Sequence, residues 1–335
     1  MKVLYLAIYS EGSTSKMRGE YLKKMLDPNL FKVIDSQYAQ KGLSRLVLSL
    51  GWRFKIGPMI KKINQYIESE LNGDYAFDLV WIDKGVFILP EIVGKLKKFS
   101  KKLVHFTPDP AFMYHRSDLF YKALPFYDFC ITTKKFEVSC YESYGVRTLL
   151  TTQGFDPKVH RPQHDFHEKN GIVFIGHREK EREILLAALV KSGFNVTLAG
   201  INWKNFANKY KNYSNLDYRG EGLYGEDYAM ALSKALIGLG LLSKWIPETH
   251  TTRTFEIPAC KTLLATECNL ELSAIFKSNE VLFFNDAKDL IQKIAELQID
   301  EVRYQNMVES AYQNVFMSGY DYEGIMTKLL KEIVL

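Results

Sequence analysis

Short apolar runs alternating with segments of helical spacing dominate the chain. Val3–Ile8 is the first run; a loop of small residues, Ser10–Ser15, and a helix over Met17–Met25 follow it. Phe31–Asp35, Leu79–Asp83, Leu103–Phe106 and Phe129–Thr132 repeat the apolar pattern, and Leu149–Thr151 closes the series. Helical spacing returns in Pro90–Phe99, with Ile92, Val93 and Leu96, and in Lys134–Tyr144. Strands alternating with helices predict a parallel sheet in a doubly wound domain spanning 1–160. The stretch 161–170 is polar and lacks periodicity, so it reads as a linker.

The pattern then restarts over 171–315. Strands are expected at Ile172–Ile175, Val196–Ala199, Ile237–Leu242, Leu263–Ala265 and Val281–Phe283. Helices are expected at Glu181–Lys191, Asp227–Leu236 and Asp286–Gln298, the last with Asp286 as N-cap. The fold class is therefore α/β, with two Rossmann-like doubly wound domains. A final segment, 316–335, has helical spacing at Ile325, Leu329, Leu330 and Ile333.

Length and composition agree with this reading. A chain of 335 residues, 47% hydrophobic and 25% charged, is long enough for two cores and excludes a disordered or fibrous protein. Cys130, Cys140, Cys260 and Cys268 lack C-x-x-C spacing, so reduced, buried thiols are expected. Met1–Ile8 turns polar too quickly for a signal peptide, and no apolar stretch approaches a membrane span. The expected location is cytoplasmic, or peripheral at the inner face of the membrane. Charge sharpens that alternative. Residues 1–160 hold 24 Lys and Arg against 16 Asp and Glu, whereas the remainder holds 20 against 23. A basic first half suits an anionic partner, or is simply a solvated surface. Within it, Gly42–Ile67 mixes Arg45, Arg53, Lys55, Lys61 and Lys62 with apolar residues. Such a segment can lie at a membrane interface or pack on its own sheet, and Gly51, Gly57 and Pro58 interrupt any long helix.

The densest chemistry lies in Glu248-Thr-His-Thr-Thr-Arg-Thr-Phe-Glu256, an E-x7-E spacing between an apolar run and a short helix-like segment. Thr251, Thr252 and Arg253 precede that helix, where hydroxyls, N–H groups and a guanidinium can hold a diphosphate. Gly176, ending the first strand of the second half, is followed by Arg178 and Arg182, cations suited to a leaving diphosphate, with Arg178 favoured. Lys244 is a further phosphate candidate. Gly222, Leu223 and Tyr224 form a turn that can hold a base. In the first half, His105 and Asp109 stand near a strand end, and Glu11, Gly12 and Ser13 follow the first strand. No D-x-D occurs, and His160, His164 and His167 lack the partners of a zinc site.

Three stretches, Ile172–Arg182, Tyr218–Tyr224 and Arg253–Glu267, continuing to Phe276–Asp286, resemble nucleotide-sugar glycosyltransferases of the two-Rossmann-domain (GT-B) type. More narrowly, they resemble the spore-maturation-protein-type, family 1-like subgroup. The match is good over residues 170–300. Over 1–160 only the layout and His105–Pro110 are similar. The resemblance implies domains facing across a cleft and a last helix returning to the first domain. It implies Glu256 on the ribose and Glu248 facing the transferred sugar. His105 or Asp109 would be the acceptor base or contact the sugar, and Glu11–Ser13 would approach diphosphate or acceptor. The implied activity is metal-independent, retaining transfer from a nucleotide-diphosphate sugar to a glycan, lipid-linked or other cell-envelope acceptor. No cofactor, metal or nucleic acid is expected. A sugar-nucleotide epimerase or hydrolase and a non-catalytic nucleotide-sugar-binding protein are the alternatives. The family usually has glycine where this chain has Lys261, which bears on backbone approach to a ligand there.

Overall fold

The computed structural model describes residues 1–71, 76–113, 115–298 and 300–334. Met1–Thr152 together with Tyr322–Leu335 form one compact unit, and Gln153–Asp321 form another.

The first unit runs β1 (Lys2–Ala7), α1 (Thr14–Leu26), β2 (Leu30–Asp35), α2 (Arg45–Phe54), α3 (Pro58–Glu70), β3 (Phe77–Asp83), α4 (Pro90–Lys98), β4 (Ser100–Thr107), α5 (Asp118–Ala123), β5 (Phe129–Thr132), α6 (Val138–Glu142) and β6 (Thr148–Leu150). Its sheet is parallel, in the order β2-β1-β3-β4-β5-β6. Strand order along the sheet reverses between β1 and β3. Val3–Ala7 is buried throughout, as a strand covered on both faces requires. Ser13 caps α1 by accepting from the Lys16 N–H at 3.2 Å. The segment 42–67 is two helices: α2 ends at Lys55 (φ 56°), and Pro58 opens α3 after Gly57 (φ 86°). Met59, Ile60, Ile63 and Ile67 bury α3 in the core.

The second unit runs β7 (Ile172–Ile175), α7 (Lys180–Lys191), β8 (Val196–Ala199), α8 (Lys204–Lys209), β9 (Leu216–Tyr218), α9 (Gly225–Lys234), β10 (Ile237–Leu239), α10 (Arg253–Ala259), β11 (Leu263–Glu267), α11 (Leu270–Ile275), β12 (Leu282–Phe284), α12 (Ala287–Gln298) and α13 (Glu301–Met317). This sheet is also parallel, in the order β12-β11-β10-β7-β8-β9, with its reversal between β7 and β10. The last helix, α14 (Tyr322–Ile333), belongs to the first unit, where it packs beside α1 with Ile325, Met326, Leu329 and Ile333 buried.

Some expectations change. The polar stretch 161–170 lies within the second unit: the Gln163 and His164 N–H groups donate to Ser233 Oγ (2.7 and 3.1 Å), and Asn170 N–H to the Lys234 carbonyl (2.8 Å). Its polarity reflects backbone bonding to the end of α9. Strand β10 is shorter than the apolar run 237–242, because at Leu242 the N–H turns to the Glu267 carboxylate (3.1 Å). Cys130 and Cys260 are buried, but Cys268 is exposed; all four are free thiols.

Lys261 has φ 51°, so it occupies the left-handed position after α10 that glycine fills at low cost. It sits at the amino end of β11, away from the carboxyl ends of the strands. The departure from glycine is thus a helix-ending matter, offset by the Glu309 ion pair (2.8 Å) and the Tyr312 ring at 4.7 Å. Gly200 is the tighter constraint: its φ is 140°, and a Cβ there would stand 1.9 Å from the Gly176 carbonyl oxygen. Gly200→Ala is expected to lower unfolding free energy by about 1–3 kcal/mol in urea titrations, since only backbone movement relieves the clash.

Candidate active site

In open parallel sheets, ligands bind beyond the carboxyl ends of the strands where strand order reverses. In the second unit that point lies between β7 and β10, and two arginines meet there. Arg253, from the first turn of α10, donates through Nη1 to the Ile175 carbonyl at the end of β7 (3.3 Å) and through Nη2 to Leu241 beyond β10 (3.2 Å). Arg182, from the first turn of α7, donates through Nη2 to the same Leu241 carbonyl (3.3 Å) and through Nη1 to the His177 carbonyl (3.1 Å). Both guanidinium carbons lie 5.7 Å from the centre of the Phe174 ring, a cation–π distance. Neither Nε–H has an acceptor among the described residues, and both are buried. Burial, then the charge of Arg253, pulls Arg182 down to about 10, which leaves it cationic at neutral pH.

Carboxylates surround the pair. Glu179, with a fully buried side chain, lies 3.1 Å from Arg182 Nη2 and 2.9 Å from His177 Nε2, and accepts from the Lys244 N–H at 2.8 Å. Glu267, at the end of β11, accepts from the Leu242 N–H and pairs with Lys244 Nζ at 3.1 Å. Glu248 is half-buried and accepts from the Ser243 N–H at 2.8 Å. The backbone N–H groups of residues 242–244 are thereby held by three glutamates, Glu267, Glu248 and Glu179. Glu179 and Glu267 escaped the sequence reading; a carboxylate three residues before Arg182 was the available signal.

Gly176, Arg182, Lys244, Glu248 and Arg253 therefore share one region. Arg178 does not join them: it is 41% exposed and pairs with Glu183 at 2.5 Å. Helix α7 begins only at Lys180, so 178 and 182 do not lie on a common helical face, and Arg182 takes the inward position expected for Arg178. Thr251 Oγ1 is buried and has no hydrogen-bond partner among the described residues, while Thr252 is half-buried at the start of α10 with no side-chain cap bond. Glu256 is 4% exposed; its Oε2 accepts from Tyr228 Oη at 2.6 Å, and Oε1 lies 3.5 Å from His160 Nε2. Gly222, Leu223 and Tyr224 follow β9. Leu223 packs against the core, and the Tyr224 ring is exposed with its hydroxyl folded over Gly222. This turn is tied to the others through Gly200, whose N–H donates to the Gly220 carbonyl at 2.9 Å.

At the reversal point of the first unit, Glu11, Gly12 and Ser13 form the loop after β1. Glu11 is exposed and paired with Lys16, Gly12 has φ 73°, and Ser13 is the cap of α1. Lys84 (φ 72°) and Gly85 (φ 60°) follow β3 in left-handed conformations. Lys84 pairs with Asp109 at 2.6 Å, and His115 Nε2 lies 3.7 Å from the same oxygen. Burial alone would raise the Asp109 pKa, yet Lys84 and His115 together hold it down at about 2, so the carboxylate is a poor proton acceptor. A small recess of about 50 Å³ is lined there by Ile8, Trp52, Phe87, Lys84 and Asp109. His105 has no exposed surface. Strand β4 continues past it to Thr107, so the residue lies inside the strand. Its Nε2 bonds the Lys84 carbonyl (2.9 Å), Phe120 packs at 4.5 Å, and burial lowers its pKa to about 4. Its expected contact with a ligand is therefore corrected to a packing role. A buried network lies beside it: Asp83 accepts from Arg18 Nε (3.0 Å) and Nη2 (2.8 Å), Ser15 Oγ (2.8 Å) and Tyr5 Oη (3.2 Å).

Larger concavities of about 600 and 720 Å³ occur in the second unit, but they are lined by residues such as Gly171, Ile172 and Asn195, at the amino ends of the strands. Among the described residues, no group of three or more His, Cys, Asp or Glu is placed to hold a metal ion, and no helix is long and apolar enough to cross a membrane.

A family model described as glycosyl transferase-like matches residues 178–331, which includes Arg182, Glu248, Arg253 and Glu256. No curated protein matches the chain in sequence. Among solved structures, sucrose-phosphate synthase from Thermosynechococcus elongatus is 14% identical, with a TM-score of 0.72, and the match covers 100% of this chain and 99% of that one. Trehalose 6-phosphate synthase from Burkholderia multivorans is 11% identical, with a TM-score of 0.66 over 99% and 98% of the two chains. HepE from Anabaena, in complex with UDP-glucose, is 13% identical, with a TM-score of 0.65 over 100% and 99%. The chain thus has the GT-B fold along its length.

Proposed function

We propose that the protein is a glycosyltransferase that moves a sugar from a nucleotide-diphosphate donor to a glycan, lipid-linked or other cell-envelope acceptor. The observation that carries this reading is the arginine pair at the β7–β10 reversal. In the transfer, the acceptor hydroxyl oxygen bonds to the anomeric carbon as the bond from that carbon to the phosphate oxygen breaks, and the hydroxyl proton passes to the departing diphosphate. Negative charge then collects on the departing diphosphate, where Arg182 and Arg253 stand, held rigid by strand-end carbonyls. Glu248, fixed by the Ser243 N–H, is assigned to the sugar. Thr251, Thr252 and Lys244 complete the diphosphate side, and Gly222–Tyr224 the base. The acceptor is assigned to the first unit, beside Asp109 and the Glu11–Ser13 loop. Retention of configuration and the narrower kinship with the spore-maturation-protein-type subgroup belong to the same reading. HepE, which shares the fold and whose structure holds UDP-glucose, makes uridine diphosphate sugars the first donors to test.

The test is incubation with UDP-sugars, with and without candidate envelope glycans or lipid-linked sugars, in excess chelator. Acceptor-dependent release of UDP that survives the chelator is the expected result. Conversion of donor to a new sugar nucleotide without acceptor would indicate an epimerase instead. Loss of activity with EDTA and its rescue by Mn²⁺ or Mg²⁺ would remove metal independence.

Glu256 is assigned to the ribose hydroxyls. A carboxylate has about four acceptor sites, more than Tyr228 and His160 occupy. Glu256→Ala should weaken nucleoside diphosphate binding by about 1.5–3 kcal/mol by calorimetry, the range for hydrogen bonds to a charged group. Unchanged affinity in a folded variant removes Glu256 from the site.

A further inference from the structure

Helix α2 has two apolar faces. Val47 and Leu48 pack on the core of the first unit, and Gly51 lies against Met59. An adjoining face repeats at four-residue intervals: Leu46 is 70% exposed, Leu50 48% and Phe54 53%, and Ile56 just beyond the helix is 69% exposed. Water should not meet three large apolar side chains in a row on one helix, with a fourth just past its end, unless something covers them. Charge identifies the cover. Residues 36–67 contain six Lys and Arg and no Asp or Glu. Arg45 and Arg53 flank the apolar row and are exposed; neither forms an ion pair among the described residues.

We infer that this face of α2 docks on an anionic lipid bilayer, with Leu46, Leu50, Phe54 and Ile56 entering the acyl boundary and the arginines at the phosphates. A nucleic acid would use the arginines and leave the aliphatic row in water. A second copy of this chain would place like charges opposite one another. A bilayer surface satisfies both sets at once. Trp52 of the same helix, 37% exposed, stands edge-on to Phe87 at 4.5 Å and lines the recess that includes Lys84 and Asp109. Docking therefore brings that recess to the lipid surface, the place from which a lipid-linked acceptor would arrive. The docking rests on α2 alone; only this last point depends on the proposed transferase activity.

The test is co-sedimentation of the full chain with vesicles of phosphatidylcholine alone and of phosphatidylcholine with phosphatidylglycerol in equal parts, with UDP-sugar affinity measured in parallel. The wild type should sediment with the anionic vesicles, and high salt should reduce this. Leu46→Gln/Leu50→Gln/Phe54→Gln should weaken partitioning at least about tenfold, and Arg45→Gln/Arg53→Gln about ten- to thirtyfold. Both should keep donor affinity, since none of these residues lies in the second unit. A wild type that ignores anionic vesicles at low salt overturns the proposal. So does a wild-type dimer in light scattering that the apolar triple variant converts to monomer, which would make the face a self-contact. Vesicle binding without binding of any nucleotide-diphosphate sugar, uridine or other, would instead sink the transferase reading and leave the docking in place.

Discussion

Replacing Arg253 by alanine is expected to lower kcat/KM for the sugar donor by about 10²–10³-fold, the effect of removing one preorganised donor from a developing charge. Arg253 is held from both sides of the strand reversal, by the Ile175 and Leu241 carbonyls, and its charge is partly desolvated over Phe174. Nothing has to reorganise when the diphosphate departs. Arg253→Lys should recover only part of the loss, because an ammonium cannot bridge two carbonyls and still present a fork to phosphate. Steady-state kinetics over a range of donor concentrations, at a temperature where the variant is folded, decides the matter. A fall in kcat rather than a rise in KM would mark an interaction made mainly in the transition state. A change below about threefold would place the leaving group elsewhere.

Asp83→Ala should cost about 3–5 kcal/mol of folding stability, the usual effect of stranding one member of a buried ion pair. Arg18 is almost wholly buried, and Asp83 supplies its only carboxylate among the described residues. With that carboxylate gone, the guanidinium has no compensating charge, and Ser15 and Tyr5 each lose an acceptor. Arg18→Met/Asp83→Leu should be far milder, since neither charge is then left alone. Equilibrium denaturation of the three proteins gives the comparison. A loss under about 1 kcal/mol for Asp83→Ala would mean that water reaches Arg18.

Much of the architecture was legible because a parallel sheet buried on both faces writes each strand as an unbroken apolar run. Ile172–Ile175 and Val196–Ala199 are read to the residue. The same property hid the role of His105. With both faces covered, alternation does not reveal where a strand ends, and β4 runs one residue beyond the apolar run, to Thr107. Helix α13 went unassigned although Tyr304, Met307, Val308, Ala311 and Val315 have the right spacing. Alanine and tyrosine mark a buried face weakly, and glutamines and asparagines fill the gaps. At the site, Arg253 and Glu248 stood out through their motif. Arg182 does not stand out over Arg178 in the sequence because its inward direction depends on where α7 begins, and boundaries are the least legible feature of a helix. Glu179 could not be valued, since its importance lies in bonds to Arg182 and to Lys244, the latter 65 positions away.

The placement of α14 in the first unit has a consequence for biosynthesis. Five of its side chains, from Ile325 to Ile333, close one side of a sheet whose strands are complete by Leu150. A ribosome adding about 5–20 residues per second needs on the order of 10–30 s to travel from that point to the helix. Throughout that interval the apolar surface around Val3, Tyr5 and Trp81 lacks its cover, whereas Gln153–Asp321 has all of its own elements by the time α14 is made. The half of the protein that is made first is therefore the half that is finished last, and it is the natural client of a chaperone during synthesis.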